Sequence, residues 1–186
     1  MSTLAVTNLK HESATGNNIV LASDGTATFA EIITASKGIA FPATQVSSAN
    51  ANTLDDYEEG TWTPVLTDGT NNATMNAETA GLYVKIGRTV YITATVYTTS
   101  LGSVTGNIFV NGLPFTSPNQ NPKVALAISY AELLNITAGQ SLGAYIDSNE
   151  SRIRLRLWDS AAGTTALQAS EWSSDGLAFI TGTYYV

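Results

Sequence analysis

At 186 residues the chain has room for one domain of the usual ~100–150 residues plus an appendage. Hydrophobic residues make up 44% of it but charged ones only 12%, against a usual ~25%, so Thr, Ser, Ala and Asn build much of its surface, as in β-rich extracellular and virion proteins rather than helical cytoplasmic enzymes. The net charge of −7 opposes binding to DNA or RNA, and the lack of cysteine removes disulfides, thiolate catalysis and the commonest zinc sites.

The first ten residues, Met1–Lys10, carry neither the basic nor the apolar region of a signal peptide, and no stretch approaches the ~20 apolar residues of a membrane span. The expected product is made in the cytoplasm and is not inserted into a membrane. Residues 1–53 read as an extended fibrous leader and linker. Their apolar residues come in short pairs, such as Leu4/Val6, Ile19/Leu21 and Ile32/Ile33, separated by turn chemistry at Thr15-Gly16-Asn17-Asn18 and Ser23-Asp24-Gly25. Asn18–Leu21 and Asp24–Phe29 read as two short strands around a tight turn. Such a hairpin is marginal alone, and is stabilised if identical chains wrap around a shared axis. Residues 43–53 are small and polar throughout, a linker by composition.

Residues 54–186 read as an all-β head. Val90, Ile92, Ala94 and Val96 alternate with Tyr91, Thr93, Thr95 and Tyr97, and Ile153, Leu155 and Leu157 alternate with Arg152, Arg154 and Arg156. Val124–Tyr130 alternates likewise, and further strands are expected at 62–67, 82–86, 107–110, 142–147 and 177–186. Turn signals at Asp68-Gly69, Asn111-Gly112 and Asp175-Gly176 separate about eight strands, the spacing of an antiparallel, jelly-roll-like β-sandwich. The one helix candidate is Tyr130–Ile136. The apolar C-terminal run looks like a fully buried strand, since chain ends fray unless tied down, and it is expected to be central, as C-terminal strands often are in trimeric jelly rolls.

Few residues offer chemistry. The single histidine, His11, falls in the leader and reads as an exposed polar residue rather than part of a triad or metal site. Asp55, Asp56, Glu58 and Glu59 lack the ligand spacing of a calcium loop and read as solvated acids or as partners of Lys85 or Arg88 across subunits. Glycoside hydrolysis needs a carboxyl pair, for which Asp147, Glu150, Asp159, Glu171 and Asp175 are available, but all lie near turns without an evident apolar pocket. No catalytic residue, metal ligand or cofactor is therefore expected.

Three of the four arginines, Arg152, Arg154 and Arg156, stand with Trp158 at period two on one strand face. Like charges so placed repel and need compensation. One reading is a structural pairing with acids such as Asp147 or Glu171; the other is a site for acidic sugars or phosphates, with arginine giving bidentate contacts and tryptophan a stacking face. Trp172 reads equally as a receptor contact in a loop or as a plug beneath it.

The run Leu54-Asp55-Asp56-Tyr57-Glu58-Glu59-Gly60-Thr61-Trp62-Thr63-Pro64, with Gly38–Gln45 before it and Tyr83–Arg88 and Gly112–Phe115 after it, resembles a module of tailed-bacteriophage tail fibre proteins. The segment from Leu9 to Phe29 resembles the short N-terminal repeat of such fibres. The resemblance implies a homotrimeric virion protein whose leader joins other virion proteins and whose head contacts a glycan or protein receptor on the host surface without cleaving it. Asp55, Asp56, Tyr57, Glu58, Glu59, Trp62 and Arg88 would then serve as connector or trimer contacts. The alternatives are a structural head fibre or decoration protein without a receptor role, and a polysaccharide depolymerase.

Overall fold

A computed structural model describes residues 7–10, 15–16, 19–23, 27–29, 32–46, 48–50, 52–120, 123–161 and 163–186. By its internal contacts the chain divides into a unit of residues 1–40 and a unit of residues 41–186. The first unit holds a small antiparallel sheet of β1 (Asn8–Leu9), β2 (Ile19–Leu21) and β3 (Ala27–Phe29), in that order. The expected hairpin is present as β2 and β3, with Ile19 opposite Phe29 and Leu21 opposite Ala27, and β1 adds a strand the sequence did not announce. His11, Asn17, Asn18, Asp24 and Gly25 lie outside the described residues.

The second unit is all-β. In chain order its strands are β4 (Tyr57–Trp62), β5 (Val65–Thr67), β6 (Thr74–Met75), β7 (Ala80–Ile86), β8 (Thr89–Ser100), β9 (Phe109–Asn111), β10 (Val124–Leu134), β11 (Ser141–Ile146), β12 (Arg152–Asp159), β13 (Gly163–Ala166) and β14 (Trp172–Tyr185). Nine of them form one antiparallel path, β4-β7-β8-β14-β10-β11-β12-β9-β5, which curls into a half-barrel; β6 adds to β8 and β13 to β12. The sequence led us to expect the two separate layers of a jelly roll. Instead β10 belongs to both halves: Val124–Leu126 pairs with β11, and Ala127 onward pairs with β14.

Alternation builds the core. Val90, Ile92, Ala94 and Val96 of β8 face inward against Ile153, Leu155 and Leu157 of β12, together with Leu66, Val110, Ile146, Ile180 and Tyr184. Burying each of the valine, leucine and isoleucine side chains stabilises the fold by about 1.5–3 kcal/mol relative to leaving it exposed. The C-terminal strand is central, with β14 running between β8 and β10.

Two expectations change. The stretch expected as one strand over 62–67 is broken, because Pro64 has no N–H to give to a ladder. The chain crosses there from β4, paired with β7, to β5, paired with β9. The helix candidate Tyr130–Ile136 is largely strand: β10 continues through Leu134, with register shifts between Ile128 and Tyr130 and between Glu132 and Leu134. Pairing with β14 supplies the backbone bonds a helix would have supplied, and the Tyr130 ring stacks on Phe179 at 4.8 Å between centroids.

Candidate functional site

The acidic connector Leu54–Pro64 contains strand β4, and its side chains turn to partners in the same chain. Asp55 accepts hydrogen bonds from the Ser48 amide (2.8 Å) and Gln45 Nε2 (3.2 Å), so part of the small polar stretch before it folds back onto it. The Ser48 amide, then Gln45 and the Lys85 charge, hold the Asp55 carboxyl below the usual range. Asp56 is buried and pairs with the buried Lys85 of β7. Glu58 accepts from the Tyr83 hydroxyl (2.8 Å), while Tyr57 donates to Glu59 (3.1 Å) on the exposed side. The Glu59 hydrogen bond and charge raise the Tyr57 hydroxyl.

The other fibre-like motifs meet the connector here. Trp62 is buried over Gly81, directly opposite it in the ladder, where an added Cβ would lie 2.7 Å from the indole Cδ1. Phe115 packs edge-on to Tyr83 at 5.4 Å, and the Lys85 ammonium stands 5.4 Å above the Phe115 ring. Tyr184 closes the group: its hydroxyl donates to the Phe115 carbonyl (3.0 Å) and accepts from the Phe115 amide (3.2 Å). Burial pushes that hydroxyl well above its ordinary range. Residues 55–62, 81–85 and 112–115 therefore form one clasp that locks strand β4 and the β9–β10 loop onto the core. Arg88 lies at the edge of this group, its Nε donating to the Val186 carbonyl (2.9 Å).

The arginine stripe is brought together as expected, and its first two members are compensated by Glu150. Arg152 grips that carboxylate with two bonds (2.9 and 3.1 Å), and Arg154 Nη2 pairs with Glu150 Oε1. Asp147 Oδ2 lies 3.5 Å from Arg154 Nε, and Lys123 reaches Asp147 Oδ1 at 3.1 Å. Both guanidinium groups stand over Phe109, at 4.5 and 5.7 Å from its centroid. Burial works to raise the Glu150 carboxyl, but bonds and charge from Arg152 and Arg154 outweigh it and the net shift is downward. The Lys123 bond, aided by the Ser148 amide, lowers Asp147 as well.

Arg156 donates to the Thr164 carbonyl (3.0 Å), and Trp158 stays 48% exposed. Of the acids the sequence offered as partners, Asp147 does meet the stripe. Glu171 instead accepts from the Gln168 amide at the start of the short 3-10 turn Ala169–Glu171. Trp172 is 1% exposed and its Nε1 donates to Thr98 Oγ1 (3.0 Å), so it is the plug and not a surface contact of this chain. Asp175-Gly176, expected as a turn, lies inside strand β14, and Gly176, with no side chain, leaves room for that indole.

Two surfaces went unread in the sequence. The first is the outer face of β7, β8, β14 and β10, where Leu82, Tyr91, Phe179 and Tyr130 stand exposed among Thr93, Thr95 and Thr181. The second is a cleft of about 320 Å³ at the end of the sheet where β10 leaves β14, bordered by Arg88, Gln120, Asp147 and Tyr185.

An all-antiparallel half-barrel with a C-terminal strand at its centre has a solved counterpart. The chain is similar in fold to a tailspike. Dettilon tailspike protein superposes with a TM-score of 0.62 at 21% identity, over 69% of this chain. The chain spans about a quarter of that protein's length, 24% of it. No protein-family model matches the chain, and no curated protein does.

Proposed function

We propose that this chain is the head of a phage tail receptor-binding protein, acting as a homotrimer in the virion and holding a host-surface glycan without cleaving it. The observation that carries this reading is the tailspike likeness across 69% of the chain, joined to the fibre-like connector that forms β4. The leader is the part that joins the head to other virion proteins.

The exposed sheet face supports self-association. Leu82, Tyr91, Phe179 and Tyr130 make a broad apolar surface of the kind that marks an interaction site. Its polar groups include the hydroxyls of Thr93, Thr95, Thr181 and Tyr91, which both donate and accept, and the Tyr130 hydroxyl, which donates to the exposed Glu132 (2.7 Å). Around a three-fold axis each copy would offer this face to both neighbours, where hydroxyls that donate and accept can bond one another.

Binding without cleavage fits the state of the acids. Glycoside hydrolysis needs one carboxyl held protonated by a raised pKa. Asp147 and Glu150 are instead drawn down by their cationic partners.

The test joins assembly to adsorption. The purified chain should sediment near three times 19.5 kDa and bind permissive host cells, while Leu82→Arg should sediment as a monomer. A wild-type monomer at micromolar concentration refutes the trimer. A trimer that binds no permissive host favours a structural fibre, and release of reducing ends from host polysaccharide refutes the non-enzymatic assignment.

A further inference from the structure

We infer that the cleft between Arg88 and Asp147 is a binding site for a single sugar residue carrying an anionic group; this rests on the glycan-binding reading above and gives it a place. The cleft exists because β10 changes partners. Ala127 still pairs with Thr181, but Val124–Leu126 pairs with β11, so the end of β14 and the start of β10 diverge. Val124 and Ile146 line the cleft on the core side, and Tyr185, 55% exposed, supplies an aromatic ring to it. Gln120 adds an amide with both donor and acceptor atoms. An aromatic ring and a few convergent polar groups in about 320 Å³ match the lower end of the ~300–1,000 Å³ usual for small-molecule sites.

The loops that frame the cleft are held rigid before any ligand arrives. The Ser117 hydroxyl donates to the Asp147 carbonyl (2.6 Å) and accepts from the Glu150 amide (3.0 Å). The Ser117 amide donates to the Glu150 carbonyl (2.9 Å), and the Asn149 amide to the Pro118 carbonyl (3.1 Å). Asn149 holds the left-handed backbone conformation, φ 56°, that lets this turn close. Glu150 is in turn clamped by Arg152 and Arg154, so the arginine stripe acts as the brace of the cleft rather than as its binding face. A pre-ordered site avoids the entropy of ordering loops on binding.

Charge selects the ligand. Asp147 is the one acid lining the cleft, and Lys123 (3.1 Å) and Arg154 (3.5 Å) offset it. Arg88 uses Nε on Val186, and its two Nη groups make no hydrogen bond among the described residues. The cleft is therefore locally cationic on an acidic protein. A guanidinium with free Nη donors suits a carboxylate or phosphate, and the tyrosine ring suits the apolar face of a sugar.

The test titrates the isotope-labelled full chain with glucuronate, glucose 6-phosphate, glucose and inorganic phosphate, following the amide signals of Gln120, Ile146 and Tyr185. Glucuronate or glucose 6-phosphate should saturate these shifts at lower concentration than glucose, and the two arms separate carboxylate from phosphate. Arg88→Gln should weaken the anionic sugars by about tenfold or more, as for loss of one hydrogen bond to a charged group, and leave glucose unchanged. Glucose binding as tightly as the anionic sugars, inorganic phosphate binding as tightly as glucose 6-phosphate, or no saturable shift overturns the assignment. If Arg88→Gln does not fold, Tyr185→Ala replaces it, and unchanged binding by the replacement overturns the assignment equally. Adsorption to host cells separates this from the broader reading. Wild-type adsorption that survives in Arg88→Gln removes the cleft and keeps the receptor role, whereas glucuronate binding without adsorption does the reverse.

Discussion

Asp56 of the connector and Lys85 of β7 form an ion pair with side chains only 4% and 5% exposed. Removing one member leaves the other charged, buried and without its counter-charge. Asp56→Ala should therefore destabilise the head by about 3–5 kcal/mol. The double variant Asp56→Leu with Lys85→Met should recover most of that loss, since it removes both charges. Denaturant unfolding of all three proteins checks this; a single variant within 1 kcal/mol (roughly the worth of a surface pair) would mean the pair is solvated.

Gly81 is small because Trp62 occupies its side-chain space. Gly81→Ala should push the indole off its seat and cost about 1–3 kcal/mol, the usual range for overpacking a core. Trp62 emission, isolated by Trp158→Phe and Trp172→Phe in the same protein and compared with that of Gly102→Ala where nothing stands within 4 Å, reports the displacement. Gly102 carries φ 56°, so its own variant should show a backbone cost without the change in Trp62 emission.

Glu150 links stability to pH. Its carboxyl is drawn below the ordinary range in the folded chain, so the folded state holds the ionised form more strongly than the unfolded chain does. Its contribution is then complete above the unfolded glutamate value of ~4.3 and is lost as pH falls through the lower, folded value. Glu150→Gln should be less stable than wild type at pH 7, and the gap should narrow on acidification below about pH 4. Melting temperatures of both proteins across that range test the sign; a gap that widens in acid would be fatal to it.

Leu133 sits at φ 57° in the irregular end of β10, a conformation that costs a branched side chain about 1–2 kcal/mol. Its side chain is half exposed, so little packing is lost on removing it. Leu133→Gly should raise stability by up to about 1 kcal/mol after the backbone entropy of glycine is set against the relief. Leu133→Val should lower it, because a β-branched residue tolerates positive φ still less. Calorimetric melting of the pair decides between strain and a compensating contact.

Each of these positions shows a different limit of reading the chain alone. Strand β8 was legible because its alternation is uninterrupted, and β14 because its run of apolar and aromatic residues needs cover. The run Tyr130–Ile136 was misread because local pattern cannot register that β14 will pair with it. The acids of the connector read as solvated or as pairing with Lys85 or Arg88 across subunits, and Asp56 instead meets Lys85 29 residues on in the same chain. Trp172 left two readings open until its Nε1 was seen to meet Thr98, 74 residues away.

Composition and periodicity by themselves determined an all-β chain, without disulfides and with few groups able to do chemistry. Those are properties of short windows, set by which side chains can alternate between core and solvent. Tertiary structure alone decided that the layers join through β10, that the fibre-like motifs close into one clasp, and that the arginines brace a loop. It also decided where a cleft opens. Each of these depends on contacts between residues far apart in the chain, and no local pattern specifies the partner that will meet a given strand edge or charge.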